Sequence, residues 1–338
     1  MLIKTNMTLE RVVLKQVVQG YYDFQGTRMS FMNRLRNMVR KLNEGIPFDQ
    51  KEVKLSEAER SRFQKKYSDK RLPIILEALE RAGKISQEEM QIINNLIQLL
   101  KDAAKTENRM AARIEESVEP EQIWQEFLQY IKGVGEVLAG NLIHRFGYCE
   151  KSPHISSLWK YCGLHVVNGK APRREAGIKM DGRVDCKTLM RKIADSLIKQ
   201  NSPIYREVYD KEKRKHNIIG PKQICLSERE EIIGELVDSG TLDGGKEKWI
   251  IATEVVYNSL LGKYGKKAEV SVKMGKGHIH ARCLRKVAKL FLSHYWVACR
   301  EIKGLPTEDP WIIEHGGHKD LITWKDVVKA NKLEKELV

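Results

Sequence analysis

Apolar residues recur three and four positions apart along most of the chain, and strand-like alternation is scarce, so the pattern predicts a mainly α protein. Leu9 to Leu42 reads as one amphipathic helix with Arg28, Arg34, Arg36, Arg40 and Lys41 off its apolar face, stopped by Gly45 and Pro47. After a charged connector a helical region opens at Leu72. Within it Met90, Ile93, Ile97, Leu100 and Ala104 form a heptad seam that resumes at Ala111, Ile114 and Val118 past Glu107. This predicts a coiled coil, with a long bundle helix as the alternative. Further helices are expected over Gln122 to Ile131, Glu136 to Phe146, Ser156 to Leu164, Asp185 to Lys199, Ile204 to Lys215, Trp249 to Lys263, His278 to Ile302 and from Trp324. The pattern is absent from Val166 to Val184, a Gly- and cation-rich stretch expected to be an extended loop or a β-hairpin. The boundaries that follow are a basic helical region over 1–72, a coiled coil over 73–119, a helical domain over 120–303 with an acidic insertion at 217–245, and a tail over 304–338.

Between two of these helices sits a tight turn, Gly133-Val134-Gly135. A Cβ at either glycine would obstruct the turn and the close approach of a ligand, while the amides of the following helix start point outward without partners. Such an end is a seat for a phosphate. Ile131 to Gly147 as a whole resembles the helix-hairpin-helix motif. The competing reading is a helix-helix corner that needs a positive φ and binds nothing. Lys132 and Arg145, on either side of the seat, favour the first.

Charge extends that picture. The chain of 338 residues carries 60 Lys and Arg against 45 Asp and Glu, a formal net charge of +15. The excess is uneven: residues 1–72 hold 16 basic and 8 acidic side chains and residues 151–215 hold 16 and 7, whereas residues 219–254 hold 4 and 8. An anionic partner is implied. DNA is the leading candidate, with RNA as the alternative. The candidate contacts at the turn and its helix are Lys132, Gly133, Val134, Gly135, Asn141 and Arg145. In the loop they are Asn168, Lys170, Arg173, Arg174, Lys179 and Arg183. Lys187 and Arg191 on the next helix, and Arg282 and Arg285 near the end of the chain, complete the set. An unpatterned loop gains nothing structural from five cations, so the loop group carries most weight.

Several segments together resemble one family. Ile131 to Gly147, then Leu158-Trp159-Lys160-Tyr161-Cys162-Gly163-Leu164, the basic loop, and Cys186 to Ile198 are similar to the C-terminal half of the DEDD-type insertion-sequence transposases of the IS-one-ten (IS-one-sixteen, IS-nine-oh-two) type. Those transposases carry a Gly-x-Gly turn, a small-residue helix, a Tyr-x-Gly-Leu segment, a Ser-Gly-basic loop and a Leu-Arg-rich helix. Tyr22 to Met38, with Gln25, Arg28, Asn33 and Arg34, resembles the start of the family's central coiled coil. The resemblance implies a nucleic-acid binder related to transposases; the coiled coil itself is expected to join the chain into a homodimer or higher oligomer. Two departures limit it. Nothing in residues 1–72 reads as the family's acidic, strand-built nuclease domain, and Asn168 stands where the family has a nucleophilic serine, before Gly169 and Lys170. An amide cannot attack a phosphodiester.

The leading expectation is therefore a DNA-binding protein that grips backbone phosphates of structured or branched DNA without catalysis of its own. The enzyme alternative is the active half of a split recombinase, working with a metal-binding partner or through Thr188, Ser156 or Ser157. The third is a nucleic-acid-binding scaffold. No cofactor and no metal are expected: His278 with His280 and His315 with His318 are read as helix-start or phosphate-facing histidines rather than zinc ligands. Trp159, Trp296 and Tyr161 are assigned to the core, and Asp181 and Asp185 to local charge balance. Six cysteines without a Cys-x-x-Cys pair read as reduced thiols. Met1 to Asn6 lead straight into a charged helix, and the apolar run Val287 to Cys299 is too short to span a bilayer, so a cytoplasmic, nucleoid-associated location is expected, with no membrane partner.

Overall fold

In a computed structural model of the chain, the structure describes residues 9–48, 56–166, 171–172, 176–177, 181–219, 222–225, 249–252, 276–307 and 322–336. The protein is mainly helical, and the chain divides into two compact units, Met1–Pro120 and Glu121–Val338.

The first unit is built on two long helices, α1 (Leu9–Glu44) and α4 (Gln87–Val118). They run antiparallel: Gly20 lies against Met110, Gln25 and Arg28 reach Glu107, and Leu35 and Val39 pack in one cluster with Ile93. The heptad residues Ile93, Ile114 and Val118 are buried. The seam expected to join two chains is thus closed within one chain, by the apolar face of α1. Between the long helices come α2 (Glu57–Lys66) and α3 (Leu72–Arg81), whose Phe63, Leu72 and Leu79 join the cluster around Tyr67. Both α2 and α4 open on a capping box, Ser56 with Glu59 and Ser86 with Glu89, each side chain answering an amide that the helix leaves unpaired. The helical region expected from Leu72 is two helices, separated by Gly83 at φ +63° and the new N-cap Ser86.

Glu107, the residue that interrupts the seam, is buried, and the opposite helix satisfies it. Arg28 donates to both carboxylate oxygens and Gln25 Nε2 donates to Oε1 at 3.2 Å. The Arg28 hydrogen bond outweighs desolvation and holds the Glu107 carboxyl below its usual range.

The second unit is organised around α10 (Lys276–Ile302), which buries Val287, Phe291, Leu292, Tyr295, Trp296 and Cys299 around most of its circumference. Against it pack α5 (Gln122–Glu126), α7 (Ile155–Tyr161), α8 (Val184–Lys199), α9 (Tyr205–Ile219) and α11 (Trp324–Glu336), while α6 (Glu136–Phe146) lies on α8. No described helix is long and apolar enough to cross a membrane. The helix expected over Gln122 to Ile131 ends early: Phe127, at φ −129°, breaks it, and a single 3₁₀ turn follows over Leu128–Tyr130. Phe127 leaves the helix to stack against Phe291 and meet the edge of Trp324. The expected helix from Trp249 is contradicted at its start. Trp249–Ala252 is a strand, β2, paired antiparallel with β1, Lys222–Cys225. The adjacent isoleucines at 250 and 251 favour a pleated strand over a helix.

The last helix begins where α9 and α10 meet. His294 Nε2 lies 2.8 Å from the Ile322 carbonyl and so carries the proton, leaving Nδ1 to accept from the Tyr205 hydroxyl at 2.9 Å. Burial presses His294 down to about 4. The Trp324 indole donates to Glu301 at 3.2 Å, and α11 then lies against the Leu128–Tyr130 turn. The segment expected as a tail therefore includes part of this unit.

Candidate nucleic-acid interface

The Gly133–Gly135 turn is held from two sides. Gly133 has φ +99°, and a Cβ there would come within 3.1 Å of the Ser196 carbonyl oxygen of α8. Ser196 Oγ in turn donates to the Gly133 carbonyl at 2.7 Å. On the other side the Lys132 amide donates to Asn331 Oδ1 at 3.1 Å and Lys132 Nζ pairs with Glu334 at 2.7 Å, both from α11. Gly135 differs from Gly133. It is the N-cap of α6, in extended geometry, with no side-chain cap, and a Cβ placed there would have nothing within 4 Å. The first intrahelical bond closes only at the Ala139 amide, so the amides before it have no intrahelical partner, and Gly135 beside them is exposed.

The other end of α6 meets the start of α8. Arg145 donates to Asp185 and, at 2.7 Å, to Asn141 Oδ1; Arg183 grips both oxygens of the same Asp185 at 3.1 and 3.0 Å. Although burial alone would raise the Asp185 carboxyl, the two guanidiniums hold it far below the usual range. Beside it the buried thiols of Cys162 and Cys186 are hydrogen-bonded, which raises Cys162 and lowers Cys186.

Here too lies the neck of the basic loop. Gly182, at φ +96°, packs so tightly on the C-terminus of α7 that a Cβ would fall 2.7 Å from the Lys160 carbonyl oxygen, and the Arg183 amide donates to the Tyr161 carbonyl at 2.8 Å. The Tyr-Cys-Gly-Leu segment is thus the platform on which the loop closes. Its exit is fixed by α10: Arg285 Nη2 donates to the carbonyls of Leu164 and His165, both at 2.5 Å. Lys187 Nζ donates to the Pro172 carbonyl at 2.7 Å. Asp181 lies 3.0 Å from His165 Nε2 and 3.7 Å from Lys160 Nζ.

The expected contacts separate accordingly. Val134 and Asn141 are each 5% exposed, so neither lies on a surface that a backbone could touch: Val134 is part of the core and Asn141 is taken up by His144 and Arg145. Lys132, Arg145, Arg183, Lys187 and Arg285 are on or near the surface but hold other protein groups. Arg191 and Arg282 are exposed. Asn168, Lys170, Arg173, Arg174 and Lys179 lie outside the described residues, as do His315 and His318. His280 Nδ1 meets the Tyr209 hydroxyl at 2.7 Å. Among the described residues no three His, Cys, Asp or Glu side chains are grouped as a metal-holding set. Thr188 Oγ1 donates back to the Val184 carbonyl at 2.9 Å, a local helix bond.

The two anchor regions are not adjacent. The turn meets α8 at Ser196 and the loop neck meets it at Asp185, about 16 Å apart along the helix at 1.5 Å per residue. Lys187 and Arg191, one turn apart on α8, continue from the N-cap Arg183 as a ridge of basic positions from the neck toward the turn; Arg183 is held by Asp185 and Lys187 by the Pro172 carbonyl, and Arg191 is exposed. Tyr161, expected in the core, is 43% exposed with its edge toward Phe146 at 6.4 Å, because the chain end of α7 sits at the rim of the platform. Trp159 is half-buried beneath Lys289, whose Nζ is 4.5 Å from the ring centroid. His165 carries no signal in the sequence that marks it out, and the only sign of Lys289 is its spacing, one turn beyond Arg285. Comparison with protein-family models, with curated proteins and with solved structures returns no match.

Proposed function

We propose that the chain is a DNA-binding protein related to transposases, which grips backbone phosphates through a helix-hairpin-helix at Gly133–Gly135 and through the basic loop, without catalysis of its own. The observation that carries this reading is the exposed Arg191 on α8, placed between the neck of the cation-rich loop at Arg183 and the Ser196 end of the helix on which the Gly-Val-Gly turn rests. Two anchor regions about 16 Å apart along one helix suit a ligand whose charges repeat along a rigid path. Contacts of this kind position a duplex without reading bases, so the preference is for shape, with junctions and bends bound above linear duplex.

The test is an affinity titration against salt on a four-way junction, a linear duplex and an RNA duplex of equal length. The expected result is a linear fall of log affinity with log salt, tightest on the junction. A flat salt dependence overturns backbone gripping. Equal or tighter binding to RNA overturns the assignment to DNA.

A further inference from the structure

The cations of α10 differ in depth. Arg282 is exposed and Lys286 is paired with Glu212 of α9 at 2.5 Å, but Arg285 and Lys289 are partly buried one turn apart, and neither has a carboxylate partner among the described residues. Desolvation, then the charge of Arg282, depresses Arg285; desolvation, then the charge of Arg285, depresses Lys289. Two partly desolvated cations thus stand one turn apart with no counter-charge among the described residues, Arg285 being held only by the Leu164 and His165 carbonyls. Around them lie ring nitrogens in the same condition, the Trp159 indole a donor and the neutral His165 imidazole a donor at one nitrogen. Trp159 Nε1 and both ring nitrogens of His165 are shielded from solvent and make no hydrogen bond. The four residues belong to one locality, since Lys289 covers the Trp159 ring and Arg285 holds the main-chain carbonyl of His165. Buried donors in folded proteins are almost always matched, and an unmatched group points to a partner that the chain does not itself supply. Asp181 lies within 3.0 Å of His165 Nε2 but is not aligned for a hydrogen bond, is half-exposed and is also within 3.7 Å of Lys160.

We propose that Trp159, His165, Arg285 and Lys289 form a receiving site for a single phosphate group at the neck of the basic loop. Arg285 and Lys289 supply the charge, Trp159 and His165 supply directional N–H groups, and Asp181 turns to Lys160 as the anion enters. A nearby carboxylate that must yield makes the site selective for a ligand with enough charge to displace it. The inference rests on the DNA-binding reading for the identity of the ligand, a phosphate of a polynucleotide, but the site itself can be measured without DNA.

Inorganic phosphate is titrated into the full chain by calorimetry at constant ionic strength, with chloride as the balancing anion. Saturable binding is expected, weakened about tenfold in Lys289→Met and tightened in Asp181→Asn, with Lys286→Met unchanged. Thermal melts of each variant separate a lost site from a lost fold, and Asp181→Asn keeps the test open should Lys289→Met melt early. Absence of saturable binding, or binding indifferent to both changes, overturns the site. The same variants are then tested on oligonucleotides with and without a 5′-phosphate. A Lys289→Met loss on both identifies a backbone phosphodiester as the source, and a loss only on the phosphorylated strand identifies a terminal monoester. If no oligonucleotide binds while phosphate still does, the DNA reading fails and the anion site stands.

Discussion

Gly133 and Gly135 are two residues apart and serve different ends. At Gly133 the positive φ and the Ser196 backbone leave no room for a side chain, so Gly133→Ala is expected to destabilise the protein by about 1–3 kcal/mol. At Gly135 the backbone is ordinary and the space is open, so Gly135→Ala should shift stability by less than about 1 kcal/mol. DNA affinity should nonetheless fall in Gly135→Ala, because the methyl would stand between the α6 amides and a phosphate. Melting curves and gel shifts on the two variants decide it; an unaffected affinity in Gly135→Ala leaves that turn as a structural corner only. Glu107 offers a second contrast. Replacing it by Leu strands Arg28 and Gln25, at a cost of about 2 kcal/mol, since Arg28 still reaches water on one side. The double variant Arg28→Met/Glu107→Leu should recover most of that loss, because the seam is apolar above and below. Additive losses in a double-mutant cycle by urea denaturation would show that the pair is not coupled. Neither Arg28 as partner of Glu107 nor Asp185 as partner of Arg145 was legible in the sequence, for these pairs join positions 79 and 40 residues apart.

Elements were more legible than contacts. The Glu136–Phe146 helix and the long helices α1 and α10 follow from spacing alone, since a one-sided or all-round apolar pattern has few other ways to be buried. The failures fall where local preference met a longer-range demand. Phe127 leaves its helix to fill a gap between Phe291 and Trp324, and the heptad seam of α4 pairs with α1 because a helix in the same chain satisfies the same pattern. The junction of α9, α10 and α11 makes a prediction at this scale. His294 is held neutral there, down to about 4 from 6.5, with both nitrogens occupied. Its folded value lies below its unfolded one, so the stabilisation is complete above about pH 6.5 and is lost as pH falls toward 4. The loss should amount to about 3 kcal/mol. Denaturation at a series of pH values should show this decline in the wild type and a shallower one in His294→Gln. Parallel curves would place the acid sensitivity elsewhere.

For the molecule as a whole, net charge overstates what is available to a polyanion. Of the candidate cations in the described residues, Lys132, Arg145 and Arg183 are paired with carboxylates, while Lys187 and Arg285 hold carbonyls; Arg191 and Arg282 remain exposed. A cation that already neutralises a carboxylate releases few counterions when a phosphate approaches. The salt dependence of binding should therefore fall well short of the +15 net charge and be set largely by Lys170, Arg173, Arg174 and Arg191. Each of these, changed to Gln, should lower the slope of log affinity against log salt by roughly 0.9 on duplex DNA. Arg145→Gln should act differently, lowering thermal stability through Asp185 and Asn141 while leaving the slope nearly intact. Slopes and melting temperatures measured on the same five variants distinguish the two classes. If Arg145→Gln lowers the slope as much as Arg173→Gln, the ion pair opens on binding, and the ridge of α8 then presents Asp185 to the DNA alongside its cations. Such a result would move the grip from the loop to the α6–α8 junction.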